Sequence, residues 1–179
     1  TVKEHNGQLT MTAPSITDTA RFTVSDPEDT VYNGTEQKQP VTIHDATTGK
    51  DLGEADYTLT YTEDRTNVGT VTVTVTGQGN YAGTVEKTYE ITAAPLDITA
   101  NSQNFTYDGN AHSDNGWTLT NGTKLFGEDA ITVAVSGSIT NVNDSPVTNV
   151  AGAVTFTKGY AKNYTVSEHN GKLTMTAPS

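Results

Sequence analysis

Residues 68–76 read VGTVTVTVT, and this strict alternation decides the fold class. Val71, Val73 and Val75 fall on one face of an extended chain, and the intervening threonines fall on the other. Alternation of β-branched residues with period two is typical of a strand that buries one face. Residues 57–62 (YTLTYT) and 84–92 (TVEKTYEIT) continue the pattern on either side. These three stretches therefore predict β-strands.

The composition extends this prediction to the whole chain. Threonine makes up about a fifth of the 179 residues and favours strands, and no segment shows a convincing helical period. Only 33% of the residues are hydrophobic and 7% aromatic, which is low for one large core. We therefore expect an all-β chain of two small β-sandwich modules, each with a thin apolar core.

Charge and cysteine content exclude several classes of function. The net charge of −11 argues against nucleic acid and against anionic membrane surfaces, because both attract Lys and Arg. No apolar run is long enough for a membrane span, so no membrane insertion is expected, and no signal peptide or sorting motif is present. The absence of cysteine excludes disulfides and thiol catalysis. It fits a protein exported by a Gram-positive bacterium, although a cytosolic protein would fit as well.

The chain carries two nearly identical segments. Residues 1–15 (TVKEHNGQLTMTAPS) and 165–179 (TVSEHNGKLTMTAPS) differ at two positions, and the shift from Thr1 to Thr165 gives a period of 164 residues. Self-similarity at a fixed period is the mark of repeat arrays. The sequence therefore predicts a stretch of a tandem array, slightly longer than one repeat.

A weaker internal repeat divides the period into two modules. Residues 31–35 (VYNGT) resemble residues 106–110 (TYDGN) at a shift of 75, and an Ala-Pro pair precedes each module and closes the chain. Proline stiffens a connection, so Ala13-Pro14 and Ala94-Pro95 are interpreted as junctions. The expected modules are residues 16–94 and 95–179, and residues 1–15 are the closing hairpin of a preceding repeat.

Five Asn-Gly pairs predict tight turns, because type I′ hairpins need positive φ at both central residues. The pairs are Asn6-Gly7, Asn33-Gly34, Asn115-Gly116, Asn121-Gly122 and Asn170-Gly171. The last pair predicts a β-hairpin over residues 164–176, and the first predicts its copy near the start of the chain.

Several stretches resemble a known family. Residues 31–45 (VYNGTEQKQPVTIHD), 56–61 (DYTLTY) and 67–91 (NVGTVTVTVTGQGNYAGTVEKTYEI) look like the Ig-like repeats of large bacterial surface proteins, especially those of Gram-positive gut bacteria. Residues 105–112 (FTYDGNAH) and 163–176 (NYTVSEHNGKLTMT) resemble the related YDG/MBG-type repeats of adhesins. The resemblance implies small Ig-like β-sandwich or β-grasp-like modules, mostly spacers and sometimes glycan binders, with no catalytic motif.

Aromatic residues are the candidates for ligand binding. Trp117, Tyr81 and Tyr160 would stack on sugars if they were exposed, although Trp117 shares a face with Leu119 and a core position is favoured. The tyrosines of the repeated Tyr-Asn-Gly and Tyr-Asp-Gly motifs, Tyr32 and Tyr107, are expected to be buried with bonded hydroxyl groups.

No arrangement of polar residues predicts catalysis or a cofactor. Acidic loops can hold Ca²⁺, but none here matches an EF-hand or a β-helix repeat, so solvated loops are favoured. His5, His44, His112 and His169 lack zinc-site spacing. A Lys–Asn or Lys–Asp isopeptide crosslink stays open, and the intact mass decides it, because each bond removes one ammonia or water.

The expected function is that of a non-catalytic stalk or spacer repeat in an exported, cell-surface, adhesin-like protein of the bacterial cell wall. Its partners would be neighbouring repeats of the same chain, and a monomer is expected. The alternative is a module that binds carbohydrate, such as host or dietary glycans, or another host ligand.

Overall fold

The computed structural model describes residues 2–4 and 6–179, so Thr1 and His5 lie outside the described residues. The chain is all-β and of the sandwich type, as the sequence predicts, with several sheets packed together. It divides into two compact units. The first comprises the described residues up to Thr30 together with Glu36–Arg65 and Gly69–Ile91, and the second comprises Val31–Thr35, Thr66–Val68 and Thr92–Ser179.

The first unit is built from two antiparallel sheets. Its strands are β1 (Phe22–Val24), β2 (Thr30–Val31), β3 (Ile43–Asp45), β4 (Lys50–Asp51), β5 (Tyr57–Tyr61), β6 (Gly69–Gly77) and β7 (Thr84–Thr92), of which Val31 and Thr92 belong to the second unit. The sheets run in the orders β1-β3-β4 and β2-β7-β6-β5. Val71, Val73 and Val75 are completely buried on one face of β6, which confirms the alternation.

The second unit also contains two sheets. Its strands are β8 (Ala94–Ala100), β9 (Gln103–Thr106), β10 (Trp117–Thr120), β11 (Ala130–Ser136), β12 (Val147–Lys158), β13 (Tyr164–His169) and β14 (Gly171–Thr176). The orders are β10-β8-β13 and β11-β12-β14-β9. Short 3₁₀ turns occupy Val142–Asp144 and Ala161–Asn163. Leu96, Ile98 and Leu173 are fully buried and Met175 nearly so, since these strands turn their apolar alternate residues inward.

The predicted hairpin over residues 164–176 is wrong. β13 pairs in parallel with β8, whereas β14 pairs in parallel with β9 and antiparallel with β12, so the two consecutive strands lie in different sheets. Neither Asn170 nor Gly171 has the positive φ that a type I′ turn needs. Gly171 instead allows the backbone at Asn101 to approach closely, because a Cβ on Gly171 would lie 2.1 Å from the Asn101 carbonyl oxygen.

Among the five Asn-Gly pairs, all of which the structure describes, Asn121-Gly122 alone has the type I′ signature. Its φ angles are 55° and 70°, and the Thr123 amide donates to the Thr120 carbonyl over 3.1 Å. At Asn33-Gly34 only the glycine has positive φ. Asn-Gly therefore marks a place where the chain can bend, and tertiary pairing decides how it bends.

Pro95, at the predicted junction, lies inside a strand. It is the second residue of β8 and pairs in parallel with Thr165, while the pairing of β8 with β10 reaches only as far as Asp97. A proline is tolerated where one side of a strand needs no amide donor. Ala94-Pro95 thus opens a strand, and β7 and β8 are separated by Ala93 alone.

Candidate functional site

The most organised group of polar and aromatic side chains surrounds Tyr32 in the second unit. The Tyr32 amide donates to the Thr92 carbonyl over 2.8 Å. The Asn33 carboxamide oxygen then accepts the Thr35 amide at 2.9 Å, which closes an Asx turn, and Gly34 takes a φ of 76°. This local geometry sets the direction of the Tyr32 ring.

The Tyr32 cluster consists of Tyr32, Phe126, Asp129, Phe156 and Tyr164. Both tyrosine hydroxyls donate to the same carboxylate oxygen of Asp129, over 2.8 Å from Tyr32 and 2.6 Å from Tyr164. The Phe126 amide donates to the Tyr164 hydroxyl at 2.8 Å. The Tyr32 ring meets Tyr164 edge to face at 5.4 Å, and Phe156 stacks on Tyr164 at 5.4 Å. Aromatic packing and charge-assisted hydrogen bonds therefore meet at one carboxylate.

Both phenols stay protonated at neutral pH. Burial raises the pKa of the Tyr164 hydroxyl far above its ordinary value, and the hydrogen bond to the Asp129 carboxylate adds to this effect. Burial raises the pKa of Tyr32 in the same direction, followed by its bond to Asp129. The two neutral hydroxyl groups therefore hold the Asp129 carboxylate in place. This is a structural arrangement, because a general base or nucleophile would have to face a substrate.

A second group of buried hydrogen bonds is formed by Asn163, which directly precedes Tyr164. The side chain of Asn163 is buried, and its carboxamide oxygen accepts the Val68 amide at 3.0 Å. Its amide nitrogen donates to the Asn67 side-chain oxygen at 2.9 Å. Buried amides are expensive to leave unpaired, so this exchange specifies the position of residues 66–68 on the second unit.

Tyr107 shares the local turn of Tyr32 but not its surroundings. The Tyr107 amide donates to the Thr176 carbonyl at 2.9 Å, the Asn110 amide donates to Asp108 Oδ1 at 2.9 Å, and Gly109 has a φ of 85°. The Asn110 amide and the His112 ring hold the pKa of Asp108 at about 2. Tyr107 nevertheless remains 41% exposed, compared with 5% for Tyr32. The prediction of a buried, bonded tyrosine is confirmed for Tyr32 and wrong for Tyr107.

The two motif glycines offer a matched test. We expect Gly34→Ala to destabilise the second unit clearly more than Gly109→Ala, although both residues have positive φ. A Cβ on Gly34 would lie 2.8 Å from the Phe126 Cβ, whereas nothing lies within 4 Å of one on Gly109. Left-handed backbone alone costs a residue with a Cβ about 1–2 kcal/mol. Thermal unfolding of the two variants measures the difference, and equal melting temperatures would contradict the packing at Tyr32.

The three predicted ligand residues are divided between the two units. Tyr81 lies in the first unit, half-buried, with its ring edge to face on Phe22 at 5.8 Å. Trp117 begins β10 and is half-buried, while Tyr160 precedes the turn at Ala161–Asn163 and is 61% exposed. No ring contact joins Trp117 to Tyr160 within the part of the chain that the structure describes. Their assignment to ligand binding stays a prediction.

Acidic and histidine side chains do not gather around a common centre. Across residues 2–4 and 6–179, no three His, Asp or Glu side chains lie close enough to hold a metal ion. His44 pairs with Asp51 and His112 with Asp108, at 2.8 and 2.9 Å. His5 lies outside the described residues. The described residues therefore contain no cluster of three such side chains to which a Ca²⁺ ion could be assigned.

The first unit contains an ion pair beside a cavity. The cavity measures about 510 Å³ and is lined by residues 11–14, Arg21 and residues 79–81. Arg21 donates to both carboxylate oxygens of the buried Asp45, from Nε at 3.0 Å and from Nη2 at 2.8 Å. This bond lowers the pKa of Asp45 to about 2. The carboxylate is engaged by Arg21 and by the Thr47 amide, so it is held as a structural acceptor.

Acid should weaken the first unit through Asp45. Because the pKa of Asp45 is depressed on folding, its stabilising effect is present above about pH 4 and is lost as the pH falls towards 2. We expect Asp45→Asn to flatten this part of the pH–stability curve while lowering stability at neutral pH. Urea unfolding followed by circular dichroism between pH 2 and 7 measures both effects. An unchanged slope in the variant would contradict the assignment.

No helix among the described residues is long and apolar enough to cross a membrane. Comparison with known proteins adds no identity: no family model matches the chain, and no curated protein matches it either. Any function proposed for the chain therefore has to be argued from its own sequence and geometry.

Proposed function

We propose that this chain is a non-catalytic structural repeat, a stalk or spacer, of an exported, cell-surface, adhesin-like bacterial protein. The observation that carries the proposal is the contrast between its two copies of LTMTAPS. Leu173 and Met175 are 0% and 3% exposed in β14, whereas their equivalents Leu9 and Met11 are 102% and 98% exposed. Residues 6–14 form no strand. A tandem array supplies the missing sheet, because in it every copy of this segment closes a module.

The most organised site supports the same function. In the Tyr32 cluster and at Asn163, the polar groups that point inward bind other residues of the chain. Such contacts rigidify a fold and offer no reactive group to a substrate. The acidic, cysteine-free surface favours solubility outside the cell. These are the properties that a spacer needs.

Surface labelling of the bacterium that encodes the chain tests this proposal. Antibodies raised against the purified chain are applied to intact cells and to lysates. We expect labelling of intact cells that disappears after brief external protease treatment. Signal confined to the cytoplasmic fraction would overturn the proposal. An antibody against a cytoplasmic protein controls for lysis.

A carbohydrate-binding function is the second candidate, favoured by the exposure of the Tyr160 ring. A glycan array probed with the intact chain tests it, followed by calorimetric titration of any hit. We expect Tyr160→Ala to weaken a genuine hit at least tenfold, in line with the large contribution of aromatic anchors to binding. Absence of binding across the array, or a hit that Tyr160→Ala leaves unchanged, would remove Tyr160 from consideration.

A further inference from the structure

Two segments of the first sequence half recur in the second half. Tyr32 corresponds to Tyr107. In both cases the backbone amide donates a hydrogen bond to the last residue of a strand, and the same Asx turn follows. Thr66-Asn67-Val68 recurs as Thr140-Asn141-Val142, at a shift of 74 residues. In the second unit the first of each pair is engaged: Tyr32 binds Asp129, and Asn67 and Val68 bind Asn163.

The recurring members of both pairs are exposed. Tyr107 and Val142 are 41% and 36% exposed, and with Asn141 and Asn143 they line a shallow depression of about 220 Å³. We call these four residues the Tyr107 surface. It presents the same residue types as the engaged pair, a tyrosine and an Asn-Val segment. Because the tyrosine turn recurs in sequence and local geometry and the Asn-Val segment recurs in sequence, the Tyr107 surface predicts a receptor of the same kind.

The receptor of the engaged pair also recurs. Asn163-Tyr164-Thr165 corresponds to Asn80-Tyr81-Ala82 in the first unit. Thr165 pairs in parallel with Pro95, and Ala82 forms a parallel bridge with Ser15 while its amide donates to the Pro14 carbonyl at 2.9 Å. Each Asn-Tyr pair thus lies beside the Ala-Pro at which its own module begins. The cavity of about 510 Å³ opens at Asn80 and Tyr81.

We propose that the Tyr107 surface of one copy of this chain docks on the Asn80-Tyr81 cavity of the following copy in a tandem array. The inference rests on the repeat arrangement of the proposed function and adds the contact that stiffens it. A copy in series brings the two surfaces together, because Tyr107 is bonded to Thr176, immediately before Ala177-Pro178. In the next copy that Ala-Pro stands where Ala13-Pro14 stands here, beside Ala82 and Tyr81.

The array also clears the cavity for its occupant. Met11, which lines the cavity here, corresponds to Met175, which is buried in the core of its own module. A preceding copy would draw Met11 into that core and leave Arg21, Asn80 and Tyr81 as the walls. The short covalent connection keeps the effective concentration of the two surfaces high, so a modest contact suffices.

The docked tyrosine is held less tightly than Tyr32. Residues 52–55 (LGEA) correspond in sequence to residues 126–129 (FGED) at a shift of 74, so Ala55 corresponds to Asp129 and offers no carboxylate. The Tyr107 ring would therefore contribute mainly by packing against Tyr81 and the Arg21 guanidinium. Loss of the ring should matter, whereas loss of the hydroxyl alone should matter little.

Double electron–electron resonance, which measures the distance between two spin labels, tests the contact on a chain of two copies. Ser179 is continued with a second copy of residues 16–179, and spin labels are placed at Thr132→Cys in the first copy and Thr58→Cys in the second. The chain has no cysteine of its own, so only these sites are labelled. We expect one narrow distance distribution. Tyr107→Ala in the first copy should abolish the narrow maximum, and Tyr107→Phe should keep it.

Controls make each outcome decisive. Val150→Ala removes an exposed apolar side chain elsewhere on the second unit and should leave the distribution unchanged. Asn141→Gly is an independent variant of the same surface, which decides the question if Tyr107→Ala lowers the stability of its own unit. A broad distance distribution in the labelled two-copy chain without further substitution would overturn the proposal. So would a narrow distribution in both the Tyr107→Ala and the Asn141→Gly variants. Surface labelling of cells does not enter this result, so the two proposals fail separately.

Discussion

Replacing Tyr32 with alanine is expected to lower the free energy of unfolding of the second unit by about 3–5 kcal/mol. The substitution removes the ring that meets Phe126 and Tyr164 edge to face, and with it one of the two hydroxyl groups that bind Asp129. Urea denaturation followed by the fluorescence of Trp117 measures the loss. Trp117 is the only tryptophan in the chain and lies in the second unit, so the signal reports that unit.

Tyr107→Ala is the matched control, because it alters the same position of the same turn. We expect a change of about 0.5 kcal/mol or less, the usual range for an exposed side chain. Tyr32→Phe should fall between the two, at about 1.5–3 kcal/mol, since it removes a hydrogen bond to a charged acceptor and keeps the ring. Equal losses for Tyr32→Ala and Tyr107→Ala would contradict the structure of the cluster.

Leu173→Ala is expected to cost about 2.7–5 kcal/mol, and Met175→Ala about 2–5 kcal/mol. Both side chains are buried in β14, in a cluster with Ile139 against which Phe105 and Val147 pack. Truncation leaves a cavity that neighbouring strands cannot close, because backbone hydrogen bonds hold the sheet in place. The midpoint of urea unfolding, again followed through Trp117, measures each loss.

The repeat supplies an internal control for these two substitutions. Leu9→Ala and Met11→Ala change the same letters of the same LTMTAPS segment, yet we expect shifts within about 0.5 kcal/mol, because both side chains are exposed. In a chain with a preceding copy, the same two substitutions should become as costly as their counterparts. If Leu9→Ala destabilised the present chain like Leu173→Ala, the exposed position of the Leu9 side chain would be wrong.

Strand positions could be predicted from the sequence where the alternation is strong. β7 has the predicted bounds, and β5 and β6 lie within one residue of them, because one buried face imposes a period of two. The hairpin over residues 164–176 could not be predicted correctly, because its two strands pair with partners about 70 residues earlier in the chain. Asn170-Gly171 fits a type I′ turn in isolation, and the pairing of β13 with β8 and of β14 with β9 prevails.

The candidate site was only half visible in the sequence. The shared motif marked Tyr32 and Tyr107 as a related pair, and the local turns agree closely. Nothing in residues 31–35 indicates Asp129, which lies 97 positions away and closes the Tyr32 cluster. The role of Asn163 was likewise not predicted. The Asn-Tyr pair occurs twice, as Asn80-Tyr81 and as Asn163-Tyr164, and this recurrence is a signal that points to it.

The sequence by itself determined that this chain is all-β, where its longest strands run, and that its parts recur at shifts of 164 and about 75 residues. These properties follow from local chemistry: side-chain alternation, turn residues and self-similarity. Only the tertiary structure decided which copy of each repeated element is buried. Tyr32 and Leu173 have distant partners within the chain, whereas Tyr107 and Leu9 have the same neighbours in sequence and remain exposed. Burial depends on contacts between residues far apart in sequence, and identical segments therefore adopt different states.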